Sequence, residues 1–240
     1  MSRRRFSSRP EARRRTLETV GVIALAFLAV AVAAGAVAHV SNESPPTSGA
    51  RHWTPPPEVE KRSVFVIGDS WTEGGTMNSG LTWPFLMDLP EGWNVLADGR
   101  AGTGYIGDSA LTSGGRLDTD LREYAPDLVL VAMGRNDVQW DPDEVIDAAR
   151  TDLSAMKKAW PDATIVVFSP WSPEPPVEWT VTLTARLRAL ADSLGLPFLD
   201  VSHYIGDRPN LIELKQPNDA GHAVIAKAVG DDLAKMGAFN

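Results

Sequence analysis

The stretch Ser63-Val64-Phe65-Val66-Ile67-Gly68-Asp69-Ser70-Trp71-Thr72-Glu73-Gly74 sets the reading of the whole chain. Four apolar residues, three of them β-branched, end abruptly at a glycine, and a polar turn follows. A short, continuously apolar run bounded by turn residues is the signature of a strand buried on both faces. Four further runs of the same kind follow at Asn94–Ala97, Leu128–Met133, Thr164–Phe168 and Pro197–Val201. Between them lie helical patterns. Asp143–Ala159 places Val145, Ile146, Ala149, Leu153 and Met156 near one face, and Val177–Leu194 and Ala220–Met236 behave alike. Alternation of this kind predicts an α/β fold, a doubly wound, three-layer open sheet of about five parallel strands. Ligands of such sheets bind beyond the carboxyl ends of the strands, so the residues after each strand are the ones to interrogate.

Outward toward the N-terminus the composition changes. Residues 20–38 run without a charge, and at 1.5 Å per residue such a helix reaches roughly 28 Å, about the hydrocarbon thickness of a bilayer. Seven arginines precede it: Arg3, Arg4, Arg5, Arg9, Arg13, Arg14 and Arg15. The positive-inside rule then predicts residues 1–19 as a basic cytoplasmic tail and 20–40 as a transmembrane signal anchor, with the rest outside the cell membrane. Cleavage after Ala36-Val37-Ala38 would give a secreted product instead. Ser2-Arg3-Arg4-Arg5-Phe6 also resembles a twin-arginine export signal. Residues 41–61, with Pro45-Pro46 and Pro55-Pro56-Pro57, read as an extended linker, and 62–240 as one globular domain.

Composition bounds the chemistry. The 240 residues are 43% apolar and contain no cysteine, which excludes disulfides, thiolate metal sites and a cysteine nucleophile. The net charge is −8, and because the first eighteen residues carry +5, the remainder carries −13. Such a surface repels phosphates, so nucleic acid is not an expected partner. No Asp/Glu/His cluster has metal-ligand spacing, and no cofactor motif is present.

Three polar segments follow the first three strands: Gly68-Asp69-Ser70, then Asp98-Gly99-Arg100-Ala101-Gly102-Thr103-Gly104-Tyr105, then Gly134-Arg135-Asn136-Asp137. Singly, each is accounted for as a turn or helix cap. Together they bring a hydroxyl, a glycine N–H and an amide to neighbouring strand ends, a nucleophile with donors for a developing oxyanion. Trp71, Trp140 and Trp171 each follow a strand and fall on the same edge, where aromatic rings stack on sugars or line an acyl pocket. Tyr105 and Arg135 flank the same place, and Arg135 offers charge to an anionic substrate.

These residues resemble the SGNH (GDSL-type) hydrolase superfamily, over nearly all of residues 62–238. Gly68-Asp69-Ser70 is similar to its first block, Gly102 to the second-block glycine, and Gly134-x-Asn136-Asp137 to the third. The resemblance implies a flavodoxin-like strand order 2-1-3-4-5 and cofactor-free ester hydrolysis through an acyl-enzyme. It further implies Ser70 as nucleophile, with Gly102 N–H and the Asn136 side chain lining the oxyanion hole.

The last block departs from the pattern. The family usually reads Asp-x-x-His-Pro there, and aligning Pro217-Asn218-Asp219-Ala220-Gly221-His222 with that ending puts Gln216 in the place of the histidine and Glu213 in the place of the aspartate. A glutamine side chain has no titratable nitrogen and cannot take the serine proton. Asp219-x-x-His222 repeats the spacing six residues later, with His222 as base and Asp219 as its orienting carboxylate. His203 after the fifth strand is a second candidate, and no histidine base at all is a third. The expected activity is extracytoplasmic hydrolysis of O-acyl esters of envelope carbohydrate or lipid. A degenerate binding module for acylated glycans and an O-acyltransferase are the alternatives.

Overall fold

A computed structural model describes residues 61–74, 82–108, 110–112 and 115–240. The predicted basic tail, transmembrane segment, cleavage site and most of the linker lie outside these residues. Among the described residues, no helix is long and apolar enough to cross a membrane.

Five parallel strands form one sheet: β1 (Arg62–Gly68), β2 (Trp93–Gly99), β3 (Leu128–Ala132), β4 (Thr164–Phe168) and β5 (Phe198–Leu199). Their order is β2-β1-β3-β4-β5. The chain leaves β1 toward β2 and then returns to place β3 on the other side of β1. The strand order therefore reverses at β1, and the crevice at that switch point opens between the loops after β1 and β3. Register sets the depth of this crevice, since Gly68 pairs with both Gly99 and Ala132.

Period-two alternation divides the core between the two faces. Val64, Val66, Leu128, Leu130 and Phe168 pack on one face with Ile225, Val229 and Leu233. The last three belong to helix α6 (Asp219–Lys235), and α2 (Trp83–Leu86) lies on the same side. Phe65, Ile67, Val129, Val131 and Val167 face the other way, against Leu117 of α3 (Arg116–Glu123), Leu153 of α4 (Pro142–Ala159) and Leu187 of α5 (Glu178–Leu194). The helix limits follow capping chemistry. The Asp141 side chain accepts from Asp143 N–H ahead of α4, Asn218 caps α6 by accepting from Gly221 N–H, and Gly195 in the left-handed region ends α5.

The fifth strand is shorter than its apolar run predicts. Beyond Leu199, Val201 N–H donates to Ser169 Oγ at 2.9 Å, and the Asp200 carboxylate accepts from both Ser169 and Ser202 hydroxyls. Side chains take over the backbone's partners and the ladder stops. A hairpin of β6 (Ile212–Glu213) and β7 (Gln216–Pro217) was not signalled by the sequence.

Candidate active site

Ser70 opens the one-turn helix α1 (Ser70–Glu73), directly after β1. Asp69 caps that turn, its Oδ1 accepting from Trp71 N–H at 2.9 Å. Gly68 is required by close approach, because a Cβ there would lie 2.1 Å from Thr72 Oγ1. The turn leaves the Ser70 hydroxyl at the switch point. Its Oγ accepts from Arg135 Nη2 at 3.0 Å and from Gln216 Nε2 at 3.1 Å.

The loop after β2 is held against this turn from three sides. Glu73 Oε2 accepts from Ala101 N–H at 2.7 Å. The buried Arg116 guanidinium donates to Thr103 Oγ1 at 2.9 Å, to Gly68 O at 3.2 Å and to Asp98 Oδ2 at 2.6 Å, and it also donates to Asp98 O. Asp137 accepts from Tyr105 N–H at 2.9 Å and Ile106 N–H at 3.1 Å. Asn136 Nδ2 donates to Thr103 O at 2.8 Å, with Asp69 Oδ2 at 3.4 Å. Gly102, with φ of 76°, sits exposed at the apex of this loop. The residues expected to line an oxyanion hole are thus gathered around one loop that borders Ser70. Sequence reasoning missed Arg116, Asp137 and Glu73 as positioning residues. The available signal was Arg116 and Asp120 on the same helix face as Leu117, a charged pair where an apolar stripe would ordinarily run.

Burial leaves its mark on the carboxyls. It pushes Asp120 and Asp152 up to about 7, with Asp98 and Asp137 respectively adding repulsion. Asp137 rises to about 6 through burial, against the two N–H donors it accepts from. Burial also raises Asp69, against the opposing Arg135 charge. Asp120, Asp137 and Asp152 keep their protons in the folded protein at pH values where the unfolded chain has lost them. The stability they contribute is complete below about pH 4 and is lost as pH rises through about 6 to 7. His222 acts oppositely, because burial lowers its affinity for a proton, but it is one group against three. The melting temperature is expected to be higher at pH 5 than at pH 8, and thermal denaturation monitored by circular dichroism checks it. The reverse order would mean that these carboxyls fold fully charged.

Gln216 reaches Ser70 from the β6–β7 hairpin. The two-residue turn is Leu214-Lys215, with φ of 49° and 63°. Left-handed pairs of this kind belong to Asn-Gly, and side chains with a Cβ are strained there. The turn is fixed from outside: Trp71 Nε1 donates to Lys215 O at 3.1 Å. Replacing Leu214-Lys215 with Asn-Gly should therefore stabilise the protein by about 1–2 kcal/mol. Chemical denaturation reads this, and an unchanged midpoint would show that the turn carries no strain.

The structure does not bring His222 to the serine. Its buried ring lies in the first turn of α6, where Nδ1 accepts from Trp83 N–H at 3.2 Å and ties α6 to α2. A nitrogen committed to a backbone donor is a neutral structural imidazole, and burial favours that state. Asp219 lies on the α6 surface, its charge felt at His222, while the helix cap is Asn218. His203 packs edge-on against Tyr204, ring centroids 4.9 Å apart. The groups on Ser70 Oγ are a guanidinium and an amide.

The aromatic expectations divide by burial. Trp71, Trp171 and Tyr105 are 0%, 2% and 2% exposed. Trp71 stacks on Trp171 at 5.5 Å, which in turn packs against Trp83 and Phe168. Trp71 and Trp171 are core packing on the α6 side of the sheet, and Tyr105 is core packing on the opposite face. Trp140 is 37% exposed, rests over Gly107 and accepts at its carbonyl from Trp179 Nε1. Arg135 borders the nucleophile itself.

A doubly wound sheet carrying a serine after β1 and an Asn-bearing loop after β3 defines a serine esterase of the SGNH type. The GDSL-like lipase/acylhydrolase family model matches residues 66–224, and the chain belongs to that family. Solved structures share the fold. Est24, a carbohydrate acetylesterase from Sinorhizobium meliloti, is 18% identical, with a TM-score of 0.61 over 73% of this chain and 100% of its own. A carbohydrate esterase family 2 enzyme with a carbohydrate-binding domain, from Corynascus thermopiles (Myceliophthora fergusii), is 21% identical, TM-score 0.61, over 78% and 70%. The aryl esterase of M. smegmatis is 16% identical, TM-score 0.57, over 72% and 99%. Comparison with curated protein sequences finds no match. In this chain the amide of Gln216 stands at the Ser70 hydroxyl.

Proposed function

We propose that this protein is an extracytoplasmic hydrolase of O-acyl esters of envelope carbohydrate or lipid, carbohydrate foremost, working through an acyl-Ser70 intermediate. The carrying observation is the Ser70 hydroxyl at the strand-order switch point, bordered by the Gly102 loop and the Asn136 amide. In this reading Oγ attacks the ester carbonyl, Gly102 N–H and Asn136 receive the oxyanion, and water releases the acid. Carbohydrate esters are favoured by two structural relatives described as carbohydrate esterases, and half-exposed Trp140 offers an aromatic face of the kind sugars stack on. The location rests on the arginine-led apolar run of residues 20–38.

Because a guanidinium and an amide, and no imidazole among the described residues, meet Ser70 Oγ, slow turnover is expected. The full-length protein is expected to release acetate from 4-nitrophenyl acetate and from an acetylated oligosaccharide above the buffer rate. Ser70→Ala returns the rate to that of buffer. Equal rates in both proteins overturn the reading. A second reading, retention of acylated glycans without turnover, is favoured by the Gln216 amide on Ser70 Oγ. Calorimetric binding of the acetylated oligosaccharide with no acetate released selects it.

A further inference from the structure

We propose that Arg135 is a catalytic residue, its guanidinium holding the Ser70 oxygen as an alkoxide while solvent hydroxide takes the proton. The inference deepens the esterase reading and rests on Ser70 being the nucleophile.

The geometry is specific. Nη2 lies 3.0 Å from Ser70 Oγ, and Nε lies 3.3 Å from Asp69 Oδ2. The guanidinium carbon sits 5.5 Å from the centre of the Trp71 ring. A carboxylate on one edge and an indole beneath fix the plane of the group, so that its remaining edge meets the nucleophile. Gln216 Nε2 supplies a second donor at 3.1 Å. An oxygen that accepts from two N–H groups, one of them cationic, is arranged to bear negative charge. An imidazole base does two things for a serine: it removes the proton and it leaves a positive charge beside the attacking oxygen. Here the two tasks are separated. Arg135 supplies the charge, and a guanidinium cannot supply the base, because it does not deprotonate in proteins.

The balance is complete without another reagent. Hydroxide takes the Ser70 proton and becomes water, and the bond from Oγ to the carbonyl carbon forms. The ester C–O bond then breaks, and the departing alkoxide takes a proton from water. A second hydroxide attacks the acyl-serine, the C–Oγ bond breaks, and the Ser70 alkoxide takes the proton of the carboxylic acid, which leaves as a carboxylate. The charged groups around Oγ are Arg135 and, behind it, Asp69, whose charge also reaches Asp137. Asp69 accepts from Trp71 N–H, Arg135 and Asn136, and Ser70 Oγ is not among its hydrogen-bond partners.

The test uses an alkyl fluorophosphonate, which reports on the nucleophile alone, with labelling of the full-length protein followed by intact mass from pH 6 to 10. The wild type is expected to label once, with a rate constant rising about tenfold per pH unit, as first-order dependence on hydroxide requires. Arg135→Lys keeps the charge but loses the fork and labels at an intermediate rate. Arg135→Met combined with Asp69→Asn removes the pair without stranding a buried carboxylate, and labels about 10²-fold more slowly with the same slope. Arg135 variants that label as fast as the wild type, while Ser70→Ala does not label, overturn the role of Arg135 and leave the nucleophile standing. A plateau near pH 6–7 in the wild type overturns it as well, by revealing a conventional base. Equal labelling of Ser70→Ala, or none in the wild type, overturns both readings.

Discussion

Gln216→His is expected to raise kcat/KM for 4-nitrophenyl acetate by about 10²–10⁴-fold, the span that a positioned general base contributes. The amide nitrogen already lies 3.1 Å from Ser70 Oγ, so the hairpin delivers position 216 to hydrogen-bonding range of the proton to be moved. The partner that fixes an imidazole tautomer is also at hand. Glu213 pairs directly with Gln216 across the hairpin, and directly opposed residues of an antiparallel pair share a face with Cβ atoms about 5 Å apart. The pH profile changes with the rate. The variant should gain an inflection near the ordinary histidine value of about 6.5, because the Arg135 cation opposes protonation of the imidazole while the Glu213 carboxylate favours it. Stopped-flow or plate-based kinetics across pH 5–9 read both effects, with Gln216→Ala as the control for a mere loss of the amide. A histidine variant no faster than the alanine control would show that the backbone at 216 is misplaced for base catalysis.

Asp137→Ala is expected to lose about 2–5 kcal/mol of stability together with esterase activity. Each of the two buried N–H groups it leaves unpaired, at Tyr105 and Ile106, costs about 1–3 kcal/mol. Relief of repulsion at Asp152 returns part of this. The cavity adds to the loss, since Asp137 Oδ1 occupies the space that a Cβ on Gly104 would take, 2.3 Å away. Activity goes with stability because those N–H groups carry the loop that holds Gly102. Urea denaturation gives the stability and acetate release gives the function. A midpoint like that of the wild type would show that the loop keeps its shape without the carboxylate.

The fold was legible because its central strands β1, β3 and β4 are buried on both faces and announce themselves as apolar runs. All five were found, and the strand order implied by the family resemblance is the one observed. The placing of Ser70, Gly102 and Asn136 after neighbouring strands was readable for a related reason: turn chemistry at strand ends is local, and topology then collects the turns. The base was not readable in the same way. Asp219-x-x-His222 copies a motif's spacing, but six residues of displacement carry it into α6, where Trp83 N–H claims the imidazole. Burial separated the tryptophans, and a position after a strand does not reveal whether a ring lies above or below the loops. The β6–β7 hairpin escaped because Leu214-Lys215 carries none of the composition its backbone demands.

Arg116 has one more consequence. Its single planar group grips the end of β1, the end of β2 and the loop beyond it. That loop surrendered its freedom when the chain folded, so little remains to be ordered when a ligand arrives. Recognition by this protein should then resemble a key meeting a stiff lock, with little rearrangement of this loop on binding.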